Sequence, residues 1–398
     1  MFYRIFKLKR SEFTGSYTLH KMARISCILF LLFLGCGTPE SPPQRLGPGI
    51  SKQEFTSLVN DISEAPGYFD SNNYISNETA YLHILPAMDN IGIEGGVYIG
   101  VGPGQNYSYI AKIRPSHAFI IDLRRGNMIQ HLIYKVILEM AETRLDFLSI
   151  LLSKPLGELT KLDVQGTVDT LVKTFDRLPG SRDYLDRNTS LIKNKMAAFD
   201  INVTTDDFAD IEEIMTIFFD RHLDLRWEWR SPWRRGLRFP TYREILLAKD
   251  LNGTYGNFLN TDRDFDFIKK MHADNLIVPV VGNFAGVHAL NQIADYTRSK
   301  NEYVSAFYLS NVEFYLIPDG AMHQFAMNVK QLPINEKSIL IRAFVNTRWG
   351  RHPATVGNHM MTTTMQYINS FNNQYSKGMY RTYWDVGTRD YIDHSVGK

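Results

Sequence analysis

The sequence predicts an α/β fold, an open and mostly parallel sheet interrupted by a helical insertion. Two observations carry this. Short, almost continuous apolar runs such as Gly96–Val101 and Ala118–Leu123 alternate with amphipathic stretches. Runs of that kind suit strands buried on both faces of a parallel sheet, and strands separated by helices argue for right-handed crossovers in an open sheet. Second, the pattern breaks over about 153–270, where charge rises and helical periodicity dominates, and resumes at NLIVPVVGNFAG, Asn275–Gly286.

The elements follow in order. Phe55, Leu58, Val59 and Ile62 fall at helical spacing over Lys52–Ser63. The loop APGYFDSNNYISNE is rich in Gly, Asn and Asp, and a helix is expected over about 77–90. A strand, 96–101, runs into a turn with alternating glycines at 100, 102 and 104, then a short helix over 106–113. After the strand 118–123, a long helix places Ile129, Leu132, Ile133, Val136, Ile137 and Met140 on one face. Beyond the insertion come a strand starting near Asn275, a helix over about 287–298, the run YVSAFYLSNVEFYL from Tyr303, and a strand over 338–344. The C-terminal 45 or so residues are polar and aromatic, with no assigned role.

The N-terminus reads as an export signal. Arg24 precedes an apolar core, Ile25–Leu34, too short to span a bilayer, which needs roughly 20 residues, but suited to a signal peptide. Gly35-Cys36 at its end, followed by GTPESPPQRLGPG, resembles a bacterial lipobox, with Phe33 where Leu is usual. The resemblance implies cleavage before Cys36, lipidation of that residue, and attachment to a membrane at the cell envelope. Met22 offers a second start that would drop the residues before it. The expected organisation is a signal peptide over 1–35, a linker over 36–51 and an α/β domain over 52–398. Cys27 and Cys36 are the only cysteines, so the mature chain would hold one thiol and no disulfide. Residues 1–35 carry six of the 44 basic and one of the 42 acidic residues, leaving a mature net charge of −3. Such a body lacks the basic footprint of a nucleic-acid binder, and no nucleic-acid partner is expected.

In an open parallel sheet, ligands bind beyond the C-terminal ends of the strands. The sequence puts Gly100, Gly102, Gly104, Gln105 and Asn106 there from the first strand, Asp122 and Arg124 from the second, Asn283 from the third, and Ser310, Asn311 and Glu313 from the fourth. Glycines let backbone approach a ligand with no Cβ in the way, and the helix after them offers free N–H groups. Asp122 lies 20 residues beyond Gly102, where an acid can accept from both ribose hydroxyls. The spacing is Gly-x-Gly-x-Gly, so pyrophosphate recognition is disfavoured. Asn77 and Glu78 in YISNETAYLH could reach a bound ligand, or could simply cap a helix.

GVYIGVGPGQN followed by FIIDLR resembles the first two motifs of Rossmann-like, S-adenosylmethionine (SAM)-dependent methyltransferases. The blocks YISNE, YIGVGPGQNYSYIA, FIIDLRR, VPVVGNFAG and SAFYLSNVEFY also resemble an uncharacterised bacterial family that includes spirochaete lipoproteins. The methyltransferase resemblance implies SAM as cofactor. It puts Gly100, Gly102 and Gly104 beside the methionine part, Asp122 on the ribose, Asn283 near the adenine and Asn311 near the transferred methyl, with Asn77, Glu78 and Glu313 toward the substrate. Ile99 stands where such enzymes usually carry an acid, and the fourth strand has SNVEFY in place of an Asp/Asn-Pro-Pro-aromatic motif. The other reading is a non-catalytic surface lipoprotein that binds host or envelope partners. An open pocket ringed by polar groups favours the first; a pocket plugged by Tyr98, Phe284 or Tyr308 favours the second.

Other motifs carry less. The Arg/Trp-rich stretch Arg226–Arg243 reads either as a surface for an anionic partner or as packed tryptophans with arginines paired to the acids near Asp206–Glu213. DRDFDF from Asp262 lacks the Gly and Glu of a calcium loop. No metal-ligand spacing is present, and no metal is expected.

Overall fold

A computed structural model describes residues 48–71, 74–160, 165–228, 239–347 and 350–394. The leader, Cys36 and most of the linker lie outside the described residues, as does 229–238 of the Arg/Trp-rich stretch. Residues Leu46–Lys398 form one compact unit.

The described elements run α1 (Lys52–Ile62), α2 (Leu85–Ile91), β1 (Val97–Gly100), α3 (Asn106–Ile113), β2 (His117–Asp122), α4 (Arg125–Met140), α5 (Arg144–Leu152), α6 (Val168–Arg177), α7 (Arg182–Ala197), α8 (Thr205–Arg221), α9 (Tyr242–Leu246), α10 (Asp262–Ala273), β3 (Ile277–Val281), α11 (Ala289–Ser299), β4 (Val304–Ser310), α12 (Glu313–Leu316), α13 (Met322–Gln331), β5 (Ile339–Val345), β6 (Met361–Tyr367), α14 (Ile368–Ser376) and α15 (Tyr383–Thr388). The six strands form one sheet in the order β3-β2-β1-β4-β5-β6. Every pairing is parallel except β5 with β6. This is a Rossmann-like, doubly wound arrangement in which the order reverses between β1 and β4. Strands β1, β2 and β3 are buried throughout, as their unbroken apolar character requires.

Helices α3, α4 and α10 pack together on one face. On the other, α11 packs against α1 and α13, and α13 against α14. The segment between β2 and β3 supplies α4 to α10 and, among the described residues, no strand of the sheet. Its last helix, α10, opens on DRDFDF: Thr261 Oγ1 accepts from the Asp264 amide at 3.1 Å, so those acids form a capped helix start.

Two expectations need correction. The helix expected over 77–90 is confined to Leu85–Ile91, with turns before it. Pro86 has no N–H to donate to Leu82 and suits a helix start rather than an interior. The unassigned C-terminal region supplies β6, which pairs antiparallel with β5 from Ile339↔Tyr367 to Val345↔Met361. Its sequence, MTTTMQY, has the β-branched residues a strand favours but is too polar to read as an apolar run.

Gly100 ends β1 where a side chain has no room. A Cβ there would stand 2.0 Å from Asn106 Oδ1 and 2.7 Å from the Tyr98 ring and hydroxyl. Both neighbours are pinned, because Tyr98 Oη donates to Asn106 Oδ1 at 2.8 Å. Gly100→Ala is therefore expected to destabilise the domain by about 3 kcal/mol, the upper range for overpacking a core; urea unfolding with an unchanged m-value checks it.

Candidate functional site

A cavity of about 550 Å³ opens beyond the C-terminal ends of the strands. Its wall takes Gly102, Pro103 and Gln105 after β1, Asp122 and Arg124 at the end of β2, Gly282, Asn283 and Phe284 after β3, and Ser310 and Asn311 at the end of β4. The segment before α2 closes it with Tyr68, Phe69, Ile75, Asn77 and Glu78, and Trp227 reaches it from the insertion. Thus Gly102, Gln105, Asp122, Arg124, Asn283, Asn311, Asn77 and Glu78 come together at one cavity. Phe284 lines it without filling it, while Tyr98 and Tyr308 are buried beneath.

Four expected residues work elsewhere. Gly100 and Gly104 are not in the wall: the first accommodates Asn106 and Tyr98, and a Cβ on the second would press 3.2 Å from the Tyr134 ring. Asn106 is wholly buried and holds the turn from behind. Its Nδ2 donates to the carbonyls of Val101 (2.9 Å), Gly102 (3.2 Å) and Pro103 (2.8 Å). Gly102 alone of the three glycines has positive φ, +80°, the left-handed region that glycine enters freely. Glu313 also leaves the expected substrate side. It is buried in an ion pair with Arg342 (Nε to Oε2, 2.6 Å), and burial raises its pKa against the pull of that arginine.

The turn is fixed from α4 as well. His131 Nε2 lies 2.9 Å from Gly102 O, and Nδ1 lies 2.8 Å from Tyr107 Oη. A carbonyl only accepts, so Nε2 carries the proton and Nδ1 accepts from the tyrosine. Burial lowers the His131 pKa to about 4, which keeps the ring neutral and this pattern intact near pH 7.

The acids of the site differ in their partners. Asp122 Oδ1 accepts from the Arg124 amide (2.9 Å) and Nε (3.1 Å), and Oδ2 from Nη2 (2.8 Å). Glu64 organises the β3 end. Its Oε2 accepts from Asn283 N at 2.9 Å, and Oε1 from Ala289 N at 2.9 Å and His288 N at 3.2 Å, offsetting free N–H groups where α11 begins. Asn283 Oδ1 accepts from Ala285 N at 2.9 Å, an Asx turn.

Glu78 is 1% exposed, and hydroxyls rather than cations act on its carboxyl. Its Oε1 accepts from Tyr308 Oη at 2.7 Å and from the Ser310 hydroxyl. Burial pushes its pKa up to about 7, outweighing those two hydrogen bonds. Tyr308 also accepts from Gln105 Nε2 at 3.3 Å. β4 ends irregularly at Ser310. The register with β5 shifts between Tyr308 and Ser310, and Ser310 takes φ +52°. Sequence reading singled out Glu78 but not its partner Tyr308, 230 residues away, and the aromatic wall of Phe69 and Tyr315, whose rings meet at 5.3 Å, had no local signal at all.

The Arg/Trp-rich stretch packs where it is described. Trp227 sits on Phe239 with ring centroids 4.3 Å apart, and Arg226 donates to Phe239 O at 2.8 Å. Arg243 pairs with Asp176 and Asp224 rather than with the acids near 206–213. Among the described residues no cluster of His, Cys, Asp or Glu could hold a metal ion, and no helix is long and apolar enough to cross a membrane.

These features define a Rossmann-like domain with an open cavity at its switch point. Over residues 74–201 and 227–390 the chain matches the DUF7790 family, a domain of unknown function, and it belongs to that family. No curated protein matches the chain.

Glu78 gives a signed pH prediction. Its folded pKa lies above its unfolded value of 4.5, so its contribution is full below 4.5 and is lost as pH rises through about 7. His117, His131 and His352, lowered mainly by burial to about 4, act oppositely as pH falls below 6.5. A difference measurement isolates the glutamate. Unfolding free energy of Glu78→Gln minus that of wild type is expected to rise between pH 5 and pH 8, by on the order of 3 kcal/mol. A flat difference would show that Glu78 is ionised at no cost.

Proposed function

We propose that the switch-point cavity binds SAM and that the domain is methyltransferase-like, held at the cell envelope by a lipid on Cys36. The observation that carries the reading is that Gly102, in the turn after β1, and Asp122, 20 residues on at the end of the neighbouring parallel strand β2, line one cavity. A left-handed glycine leaves the turn open to close approach, and an acid at the tip of the next strand can accept from ribose hydroxyls. Asn283 stands on the adenine side and Asn311 toward the transferred methyl. A volume of about 550 Å³ falls within the range of cofactor pockets, and the wall combines apolar side chains with a few polar groups, as such pockets do.

One observation favours the alternative, a non-catalytic scaffold for an envelope partner. The Arg124 fork already takes both oxygens of Asp122. Under the SAM reading a ribose hydroxyl uses the site that remains, since an ionised carboxylate offers about four acceptor sites and Arg124 takes three.

Titration calorimetry of the full chain with SAM and S-adenosylhomocysteine separates the two. The expected result is micromolar binding of both, weakened about a hundredfold, or about 2.7 kcal/mol, by Asp122→Ala. No heat from either ligand, with no thermal shift, would leave the scaffold reading. The anchor is tested apart from the cofactor. Cys36→Ser is expected to abolish incorporation of radiolabelled palmitate and to move the protein from the membrane to the soluble fraction; unchanged labelling would remove the lipid.

A further inference from the structure

Two buried acceptor atoms among the cavity-lining side chains have no hydrogen-bond partner: Oε2 of Glu78 and Oε1 of Gln105. The other polar atom of each is committed. Glu78 Oε1 accepts from Tyr308 at 2.7 Å and from Ser310, and Gln105 Nε2 donates to Tyr308 Oη at 3.3 Å. Tyr308 thus ties the two side chains together, donating to one and accepting from the other. With Glu78 ionised, what remains is two acceptors and no donor. A buried acceptor left without a donor is unfavourable, and this wall carries two.

The chemistry of a matching ligand follows. A carboxylate or phosphate brings only acceptors and negative charge. A hydroxyl brings one hydrogen for two sites. A primary ammonium brings three hydrogens, no acceptor and a charge opposite to that of Glu78. The position is also informative. Gln105 follows β1, and Tyr308 and Ser310 end β4, so the cluster lies at the reversal of strand order. Gly102, Asp122 and Asn283 line the cavity from the β1, β2 and β3 ends.

We propose that Glu78 and Gln105 form the methyl-acceptor subsite and that the acceptor is a primary amine. This rests on the SAM reading of the same cavity. The ammonium gives one proton to Glu78 Oε2, which frees the nitrogen lone pair. That lone pair attacks the methyl carbon; the N–C bond forms as the S–C bond breaks, and the electron pair of the broken bond stays on sulfur. The products are S-adenosylhomocysteine and an N-methylammonium, and Glu78 then returns its proton to water. A carboxyl buried among hydroxyls, with a pKa near 7, is suited to that exchange at neutral pH.

Sinefungin tests this, because it carries an amino group where SAM carries the transferable methyl. In calorimetry on the full chain, sinefungin is expected to bind about tenfold more tightly than S-adenosylhomocysteine. Glu78→Gln, which keeps the side-chain volume, is expected to erase that advantage while leaving S-adenosylhomocysteine affinity unchanged. Equal wild-type affinities for the two ligands would overturn the subsite, and so would an equal loss of both in the variant, which would place Glu78 on the shared part of the cofactor. If neither ligand binds wild type, the SAM reading itself falls, and the subsite with it. Should Glu78→Gln fail to fold, as judged by its thermal transition, Gln105→Leu carries the same comparison with the same selective loss expected.

Discussion

The side-chain amide of Asn106 is the interaction on which the cavity depends. One NH₂ group holds the carbonyls of Val101, Gly102 and Pro103, and the amide oxygen accepts from Tyr98. Two hydrogens serve three acceptors, so the carbonyls must converge on one point, and the chain has to reverse within that short span. The rest follows from this convergence. Gly100 must lack a side chain because Asn106 Oδ1 occupies the place of its Cβ. Gly102 must enter the left-handed region. His131 takes the remaining access to the Gly102 carbonyl from the opposite side. A turn whose carbonyls are held by its own protein is rigid before any ligand arrives, and a preformed wall reduces the ordering that binding must otherwise impose.

Around that turn, three carboxylates show how environment divides one functional group into three roles. Asp122 is neutralised by the guanidinium of Arg124. Glu64 is held by backbone N–H groups at the start of α11 and serves as structure. Glu78 has hydroxyl partners only, in a buried position. Hydroxyls stabilise a carboxylate less than a fixed cation does, and desolvation disfavours the charge. Glu78 is accordingly the acid of the three whose charge depends on what enters the cavity.

The sequence made legible what is local. Apolar runs and their spacing located β1, β2, β3 and the strand ends, because parallel strands buried on both faces leave an unbroken record along the chain. The glycine turn was visible for the same reason. Its division of labour was not. Gly100 and Gly104 look equivalent to Gly102 in the sequence, yet they make room for Asn106 and for Tyr134, neighbours that only the fold brings close. Glu313 looked like a strand-end acid facing a ligand, but Arg342, 29 residues on, draws it into the interior. Strand β6 was unread because an edge strand paired antiparallel need not be apolar, and the early start expected for α2 ignored the missing amide of Pro86.

The end of β4 joins these themes. Leu309 is the extra residue of the register shift, since Tyr308 opposes Ile341 while Ser310 opposes Arg342. The residue after the bulge is Ser310, which meets the same Glu78 oxygen as Tyr308. A regular strand would also place residue 310 on the face of its alternate, Tyr308, but with backbone that serine accepts freely. The observed φ of +52° costs on the order of 1 kcal/mol, and it persists because Tyr308 and Leu309 are wholly buried and cannot shift to relieve it. Glycine at this position would remove the strain and also the hydroxyl. The serine therefore couples an unfavourable backbone to the partner of a buried acid, at the point where the strand order reverses, and local strain of this kind is maintained only where the surrounding packing over-determines it.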